Sequence, residues 1–322
     1  MNAPRHPAAI TVRGLRKAFG ATSVLRGVDL DVAPGTVTAL LGPNGAGKTT
    51  TVHILSTLVA PDGGDVTVAG CDLRADPDGV RAAIGLTGQF SAVDGLLTGE
   101  DNLLLMGRLR HLGKAERARR AAALLERFDL VDAARRPAVT YSGGMRRRLD
   151  LAMTLVGEPA VIFLDEPTTG LDPRSRRAMW DQVRELVADG VTILLTTQYL
   201  EEADQLADQV AVLDDGRIVA AGSPDELKRL VPGGHIRLRL PDAVAFAGAT
   251  AALPDARPDD AALTLEVHGG TGARDLRAVL DRLDRAAVEV DALTVHTPDL
   301  DDVFLALTGA PTRPAEHEEG PR

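Results

Sequence analysis

The sequence predicts an α/β fold built on a parallel sheet and followed by a smaller α/β unit. Three observations carry that prediction. Strand-like and helix-like segments alternate through residues 1–230, the pattern of parallel strands with helices crossing over them. GPNGAGKTT, residues 42–50, follows the short apolar run VTALLG and opens the apolar stretch TTVHILSTLV, so a glycine-rich turn joins a buried strand to a helix. VPGG, residues 231–234, then marks a change of composition: residues 231–322 carry 9 Lys/Arg against 16 Asp/Glu, whereas residues 1–230 carry 27 against 30.

ITVRGLRKAFG and SVLRGVDLDV read as two strands joined by a turn, and VTALLG as a buried strand leading into the glycine-rich turn and its helix. After the turn PDGG comes the strand DVTVAG. Residues 99–131, rich in Ala, Leu and Arg, are helical by pattern. VIFLDEP is a strand, PRSRRAMWDQVRELVADG a helix ending at a glycine, and VTILLTT a strand. LEEADQLAD is helical, QVAVLDDGRIVAAG forms a hairpin around Asp215-Gly216, and SPDELKRL is a capped helix. Beyond VPGG, HIRLRL, TLEVHG and VEVDALTVH read as strands. DAVAFAGATAAL, GARDLRAVLDRL and DLDDVFLAL read as helices, a set compatible with a ferredoxin-like unit. The domains are therefore expected at 8–230 and 235–309, with 310–322 a disordered tail by composition.

The formal net charge is −10. Neither part carries the positive field expected of a protein that tracks a phosphate backbone, so nucleic acid is not an expected partner. Cys71 is the single cysteine, which precludes an intramolecular disulfide and makes a cytosolic compartment the expectation. MNAPRHPAAI lacks the apolar core of a signal peptide, and no run of about 18 apolar residues spans a membrane.

Gly42 to Thr49 fit the phosphate-loop pattern G-x-x-x-x-G-K-[ST]. Backbone amides in such a turn converge on phosphate oxygens, and the helix N-terminus adds positive potential. Lys48 would reach the β- and γ-phosphates, and the Thr49 hydroxyl would bind Mg²⁺. VIFLDEP places Asp165 at the end of a buried strand, where it can hold the Mg²⁺ shell. Glu166 follows, where it can orient or deprotonate an attacking water. Two adjacent carboxylates at a strand end are more often a solvated turn; the phosphate loop upstream favours the catalytic reading. One chain remains short of a complete site, because no arginine finger is placed to stabilise the far side of a γ-phosphate.

Five motifs in order, GPNGAGKTT, Gln89, YSGGM, VIFLDEP and TGLDP, resemble the nucleotide-binding subunit of an ABC transporter over about residues 8–230. The resemblance implies a P-loop NTPase fold with an antiparallel β subdomain, a parallel-sheet core and a helical subdomain. It also implies a head-to-tail homodimer sandwiching two ATP molecules. Gly42, Pro43, Asn44, Gly45, Ala46, Gly47, Lys48, Thr49 and Thr50 of one subunit would face Ser142, Gly143 and Gly144 of the other. Phe19 resembles the aromatic that stacks on adenine, with strand-edge packing as the alternative. Gln89 would contact Mg²⁺ or the water, FSAVDGLLTGEDN would touch a separate permease, and Asp172 would sit at the dimer seam. The arginines at 146–148, inside the helix that Ser142 begins, are expected to form a solvated, partly ion-paired face. His53 is expected to be a packed helix residue.

Two positions depart from the family pattern. Met145 replaces the usual glutamine, which leaves the amide donors intact. Gln198 stands where a histidine usually contacts the γ-phosphate; its amide can donate but cannot carry a proton near neutral pH, which leaves the base role to Glu166. TTQYLEEAD and TPDLDDVFLALTG resemble the daunorubicin/doxorubicin-resistance branch of drug exporters. There the ATPase and permease are separate chains, and the extra C-terminal region implies regulation or dimer stabilisation. The expected function is therefore the ATP-hydrolysing subunit of a drug or antibiotic exporter. The alternative, a soluble ABC ATPase acting on nucleic acid or ribosomes, is disfavoured by the single phosphate loop, the absence of long heptads and the acidic tail. An unrelated P-loop kinase or GTPase would have no reason for YSGGM and TGLDP.

Overall fold

VTALL, VIFLD and TILLTT are buried at every residue, as central parallel strands covered on both faces must be. The computed structural model describes residues 8–88, 92–231, 234–269 and 272–309. Gln89 and the tail 310–322 lie outside them. The chain divides into two units between Pro224 and Asp225, a few residues before the expected linker VPGG.

The first unit begins with the antiparallel pair β1 (Ile10–Phe19) and β2 (Thr22–Val32), after which β3 (Val37–Leu41) leads into α1 (Lys48–Leu55). Next come β4 (Gly63–Val68), β5 (Cys71–Asp72), α2 (Pro77–Ala83) and β6 (Ile84–Thr87). The helical segment comprises α3 (Gly99–Leu109), α4 (Lys114–Arg127) and α5 (Gly143–Leu155). The core resumes with β7 (Val161–Asp165), α6 (Pro173–Ala188), β8 (Thr192–Thr197), α7 (Leu200–Leu206), β9 (Gln209–Asp214) and β10 (Arg217–Gly222). The short helix α8 (Pro224–Lys228) lies at the division between the units.

A four-stranded antiparallel sheet has the order β2-β1-β4-β5 and a six-stranded sheet the order β10-β9-β3-β8-β7-β6. In the larger sheet all neighbours are parallel except the β9–β10 hairpin. One apolar core joins both sheets: Ile10, Val12 and Val28 of the four-stranded sheet with Leu40, Phe163 and Leu194 of the six-stranded one and with Val52 and Leu55 of α1. Because β8 lies between β3 and β7, the ends of all three strands are brought side by side.

Three local expectations are revised. The helical stretch expected over residues 99–131 is broken into two helices, because His111 takes a left-handed backbone (φ 56°) and Gly113 caps the start of α4. The two helices then pack on each other. The helix after the phosphate loop ends at Leu55, where Ser56 caps it and Thr57 turns left-handed. The short elements β5, α2 and β6 were not anticipated.

The second unit contains β11 (His235–Arg239), α9 (Ala243–Ala252), β12 (Arg257–Asp259), β13 (Thr264–His268), α10 (Ala273–Arg285), β14 (Ala292–His296) and α11 (Leu300–Thr308). Its antiparallel sheet runs β12-β13-β11-β14, the βαββαβ order of a ferredoxin-like unit. Ile236, Leu238 and Leu265 of the sheet share a core with Phe246 and Ala249 of α9 and Val279 and Leu283 of α10. VEVDALTVH pairs only from Ala292 onward. The fully exposed, proline-bearing β12 carries no apolar alternation by which a strand could be read.

Candidate functional site

Gly47 takes φ 109° as it caps α1, a backbone open to glycine at little cost, and this turn brings the phosphate loop back over the helix N-terminus. The Lys48 side chain lies inside the loop, donating to the Gly42 carbonyl at 2.7 Å and to that of Pro43 at 3.1 Å. Burial pushes its ammonium below the ordinary lysine value, and Glu166 and Asp165 oppose that shift. Ala46 is buried, and Asn44, Gly45, Gly47, Thr49 and Thr50 line an open cleft with Lys48.

Asp165 is 1% exposed at the end of β7. Its Oδ1 accepts from the Thr49 hydroxyl at 3.2 Å and from the Thr196 hydroxyl of β8. The structure thus brings Thr49, Thr196 and Asp165 together from three neighbouring segments. Glu166 lines the same cleft as Lys48 and takes a left-handed backbone, φ 49°, which a non-glycine residue adopts only when its surroundings hold it there. Its amide donates to the carbonyl and hydroxyl of Thr196 at 3.1 and 3.2 Å, and the Thr169 hydroxyl donates to its Oε2 at 3.3 Å.

Phe19, at the end of β1, lines the cleft with its ring half exposed and Lys17 Nζ 5.3 Å from the ring centroid. Gln198 follows β8 and is half-buried, but it is not among the side chains lining the cleft. His53 is half-buried on α1. Gln89 lies outside the described residues.

Ser142 caps α5, accepting from the Met145 amide at 3.2 Å. Gly143 lines a second cleft with Arg146, Glu166 and Gly170; Ser142, Gly143 and Gly144 are not among the residues lining the phosphate-loop cleft. Asp172 caps α6 by accepting from the Ser175 amide at 2.9 Å and from its hydroxyl, and these bonds hold its carboxyl below the usual range.

One reading of the arginines is corrected. Arg148 pairs at the surface with Asp129, but the Arg147 side chain is only 11% exposed and points inward to Asp150 and three backbone carbonyls. Helical phase was the available signal, because Arg147 stands over Asp150 and Leu151, both buried. Glu202 was also missed. It is fully buried, its Oε1 accepts from the Trp180 indole at 3.2 Å, and burial pushes its carboxyl up. LEEAD reads as a solvated helix face, so nothing local marks it.

A phosphate loop, a buried carboxylate at a parallel-strand end and a serine-capped glycine helix, carried on this sheet, define an ATP-hydrolysing cassette. A family model described as "ABC transporter" matches residues 25–169. The daunorubicin resistance ATP-binding protein DrrA2 of Streptomyces coeruleorubidus is 51% identical over 97% of this chain and 98% of its own. The daunorubicin/doxorubicin resistance ATP-binding protein DrrA of Streptomyces peucetius is 47% identical over 97% and 96%. The Nod factor export ATP-binding protein I of Ralstonia nicotianae is 38% identical over 94% and 95%. Among solved structures, an ATP-binding subunit of an ABC transporter is similar at TM-score 0.62 and 31% identity, covering 69% of this chain and 92% of that one. A nucleotide-free ATP-binding cassette is similar at TM-score 0.63 and 27% identity, over 69% and 94%. The chain belongs to the ABC transporter ATP-binding family.

Proposed function

We propose that this ATPase is the energy subunit of a two-component exporter that drives a drug- or antibiotic-like small molecule out through a separate membrane permease. The observation that carries the ATPase half is the convergence of Lys48, Thr49 and Glu166 from two separated motifs on one cleft, with the buried Asp165 bonded to Thr49 at its edge. Near-full-length likeness to daunorubicin resistance proteins supports drug efflux. No helix among the described residues is long and apolar enough to cross a membrane, so the path for the molecule falls to another chain, which would hold this one at the inner face of the membrane.

Lys48 and the loop amides bind and orient the ATP phosphates, and Phe19 stacks on the adenine. Among the described residues no three His, Cys, Asp or Glu side chains form a metal cluster. Mg²⁺ would accordingly be held by Thr49 and Asp165 together with phosphate oxygens, a set of hard oxygen donors that suits it. When bound, Mg²⁺ neutralises charge on the β- and γ-phosphates. Glu166 accepts the proton of the attacking water. Ser142, Gly143 and Gly144 aim the α5 N-terminus at the γ-phosphate held by a second copy of the chain, supplying what one chain lacks.

Glu166→Gln tests this reading. Nucleotide affinity is expected to stay within about threefold while hydrolysis falls by roughly 100-fold or more. MgATP should then trap a dimer visible in sedimentation. Wild-type turnover would place the base elsewhere. A tagged chain recovered from detergent-solubilised membranes should bring a multi-helix partner that stimulates its ATPase.

A further inference from the structure

Glu166 is flanked by two backbone carbonyls that one side chain holds. Arg147 Nε donates to the Pro167 carbonyl at 2.8 Å, and its Nη2 lies 3.4 Å from that of Asp165. The left-handed backbone of Glu166 is thus braced on both sides by a guanidinium from α5. The same group reaches further: Nη1 donates to the Gly88 carbonyl at 3.1 Å and to Asp150 Oδ2 at 3.2 Å. Asp150 is itself buried, and its Oδ1 accepts from the Ala92 amide at 3.1 Å. Gly88 and Ala92 are the residues on either side of the stretch that contains Gln89.

We propose that Arg147, oriented by Asp150, is a positioning residue for ATP hydrolysis, tying the signature helix to the turn that presents Glu166 and to both flanks of the Gln89 stretch. This rests on the reading of Glu166 as the base. A planar, five-donor guanidinium can bridge carbonyls in different directions, which a lysine ammonium at the same place cannot do with fixed geometry. Small displacements of a catalytic group have large effects on rate, so holding the Pro167 and Asp165 carbonyls is a way to set turnover without touching nucleotide.

Arg147→Lys keeps a charge opposite Asp150 and loses the fork. In the full-length chain we expect kcat to fall about 10- to 100-fold, with KM for ATP changed less than about threefold and Tm nearly retained. The double substitution Arg147→Met with Asp150→Leu removes the buried ion pair and replaces it by apolar volume, an exchange proteins often tolerate. It should still unfold cooperatively, at a Tm no higher than that of Arg147→Lys because the backbone groups the pair held lose their partners, and leave kcat at least about tenfold down. A purely structural role predicts near-wild-type kcat in the folded double variant, and that result overturns the proposal, as does wild-type kcat in Arg147→Lys. Glu166→Gln, run in parallel, separates the two failures. If it is inactive while Arg147→Lys is normal, only the positioning role fails. If it turns over normally, the base assignment fails and takes this inference with it.

Discussion

Lys48 is 5% exposed, and a buried ammonium is unfavourable unless it is hydrogen-bonded or paired with an anion. Two loop carbonyls and the field of Asp165 and Glu166 hold it, and a triphosphate would add further negative charge beside it. Lys48→Ala is therefore expected to weaken ATP binding by roughly 100-fold or more, the scale of a lost charge-assisted contact in a desolvated site. The fold should persist, since a buried charge is removed with its desolvation penalty. Titration with a fluorescent nucleotide alongside thermal unfolding checks both, and undiminished affinity would mean that the loop amides suffice. Lys48, Thr49, Asp165 and Glu166 were legible because each is fixed by a few neighbours in sequence. Arg147 was not: its partners at Gly88 and Pro167 lie 59 and 20 positions away, and no local pattern encodes such a pairing.

At the scale of elements, the hairpin β9–β10 bears on the site through its turn. Asp215 and Gly216 both take left-handed backbone, φ 45° and 72°, the two-residue turn that Asp-Gly favours. The Gly216 carbonyl accepts from the Arg26 amide at 2.8 Å. A Cβ on Gly216 would stand 2.3 Å from the Val24 carbonyl, and Val24 lines the nucleotide cleft. Gly216→Ala should thus destabilise the protein by about 1–3 kcal/mol, a drop of several degrees in Tm, and loosen ATP binding by displacing β2. Calorimetry and nucleotide titration test the two effects; an unchanged Tm would show that β2 yields freely. This hairpin was readable from Asp-Gly between apolar runs. The break between α3 and α4 was less so: Gly113 marks it, but the left-handed turn at His111 follows from no local pattern. Strands as short as β5 and β12 carry too few residues for any periodicity.

At the scale of the whole molecule, the two units hold separate cores, and the second has the elements of an independent fold. Residues 225–309 expressed alone should unfold cooperatively in urea. On the sheet face opposite α9 and α10, His235 pairs in register with His268 and His296, with ring centroids 5.7 and 4.8 Å apart. Burial depresses the His235 pKa; Glu266 opposes that, and His296, Arg237 and His268 add to it. Asp302 of α11 stands 3.0 Å from His296. A histidine of lowered pKa binds its proton more readily in the unfolded chain, so stability rises with pH across its titration. Lowering pH from 8 should leave the urea midpoint unchanged until about 6.5, the ordinary histidine value, and then reduce it as the unfolded chain takes up the proton. Glu266 is held below the usual carboxylate range by its hydrogen bond from Arg237, so its contribution is lost only in a separate, more acidic window. His235→Gln removes the central titrating group while keeping a polar side chain. It should flatten the slope between pH 7 and the acidic window, and a slope that persists unchanged would exclude His235 as its source.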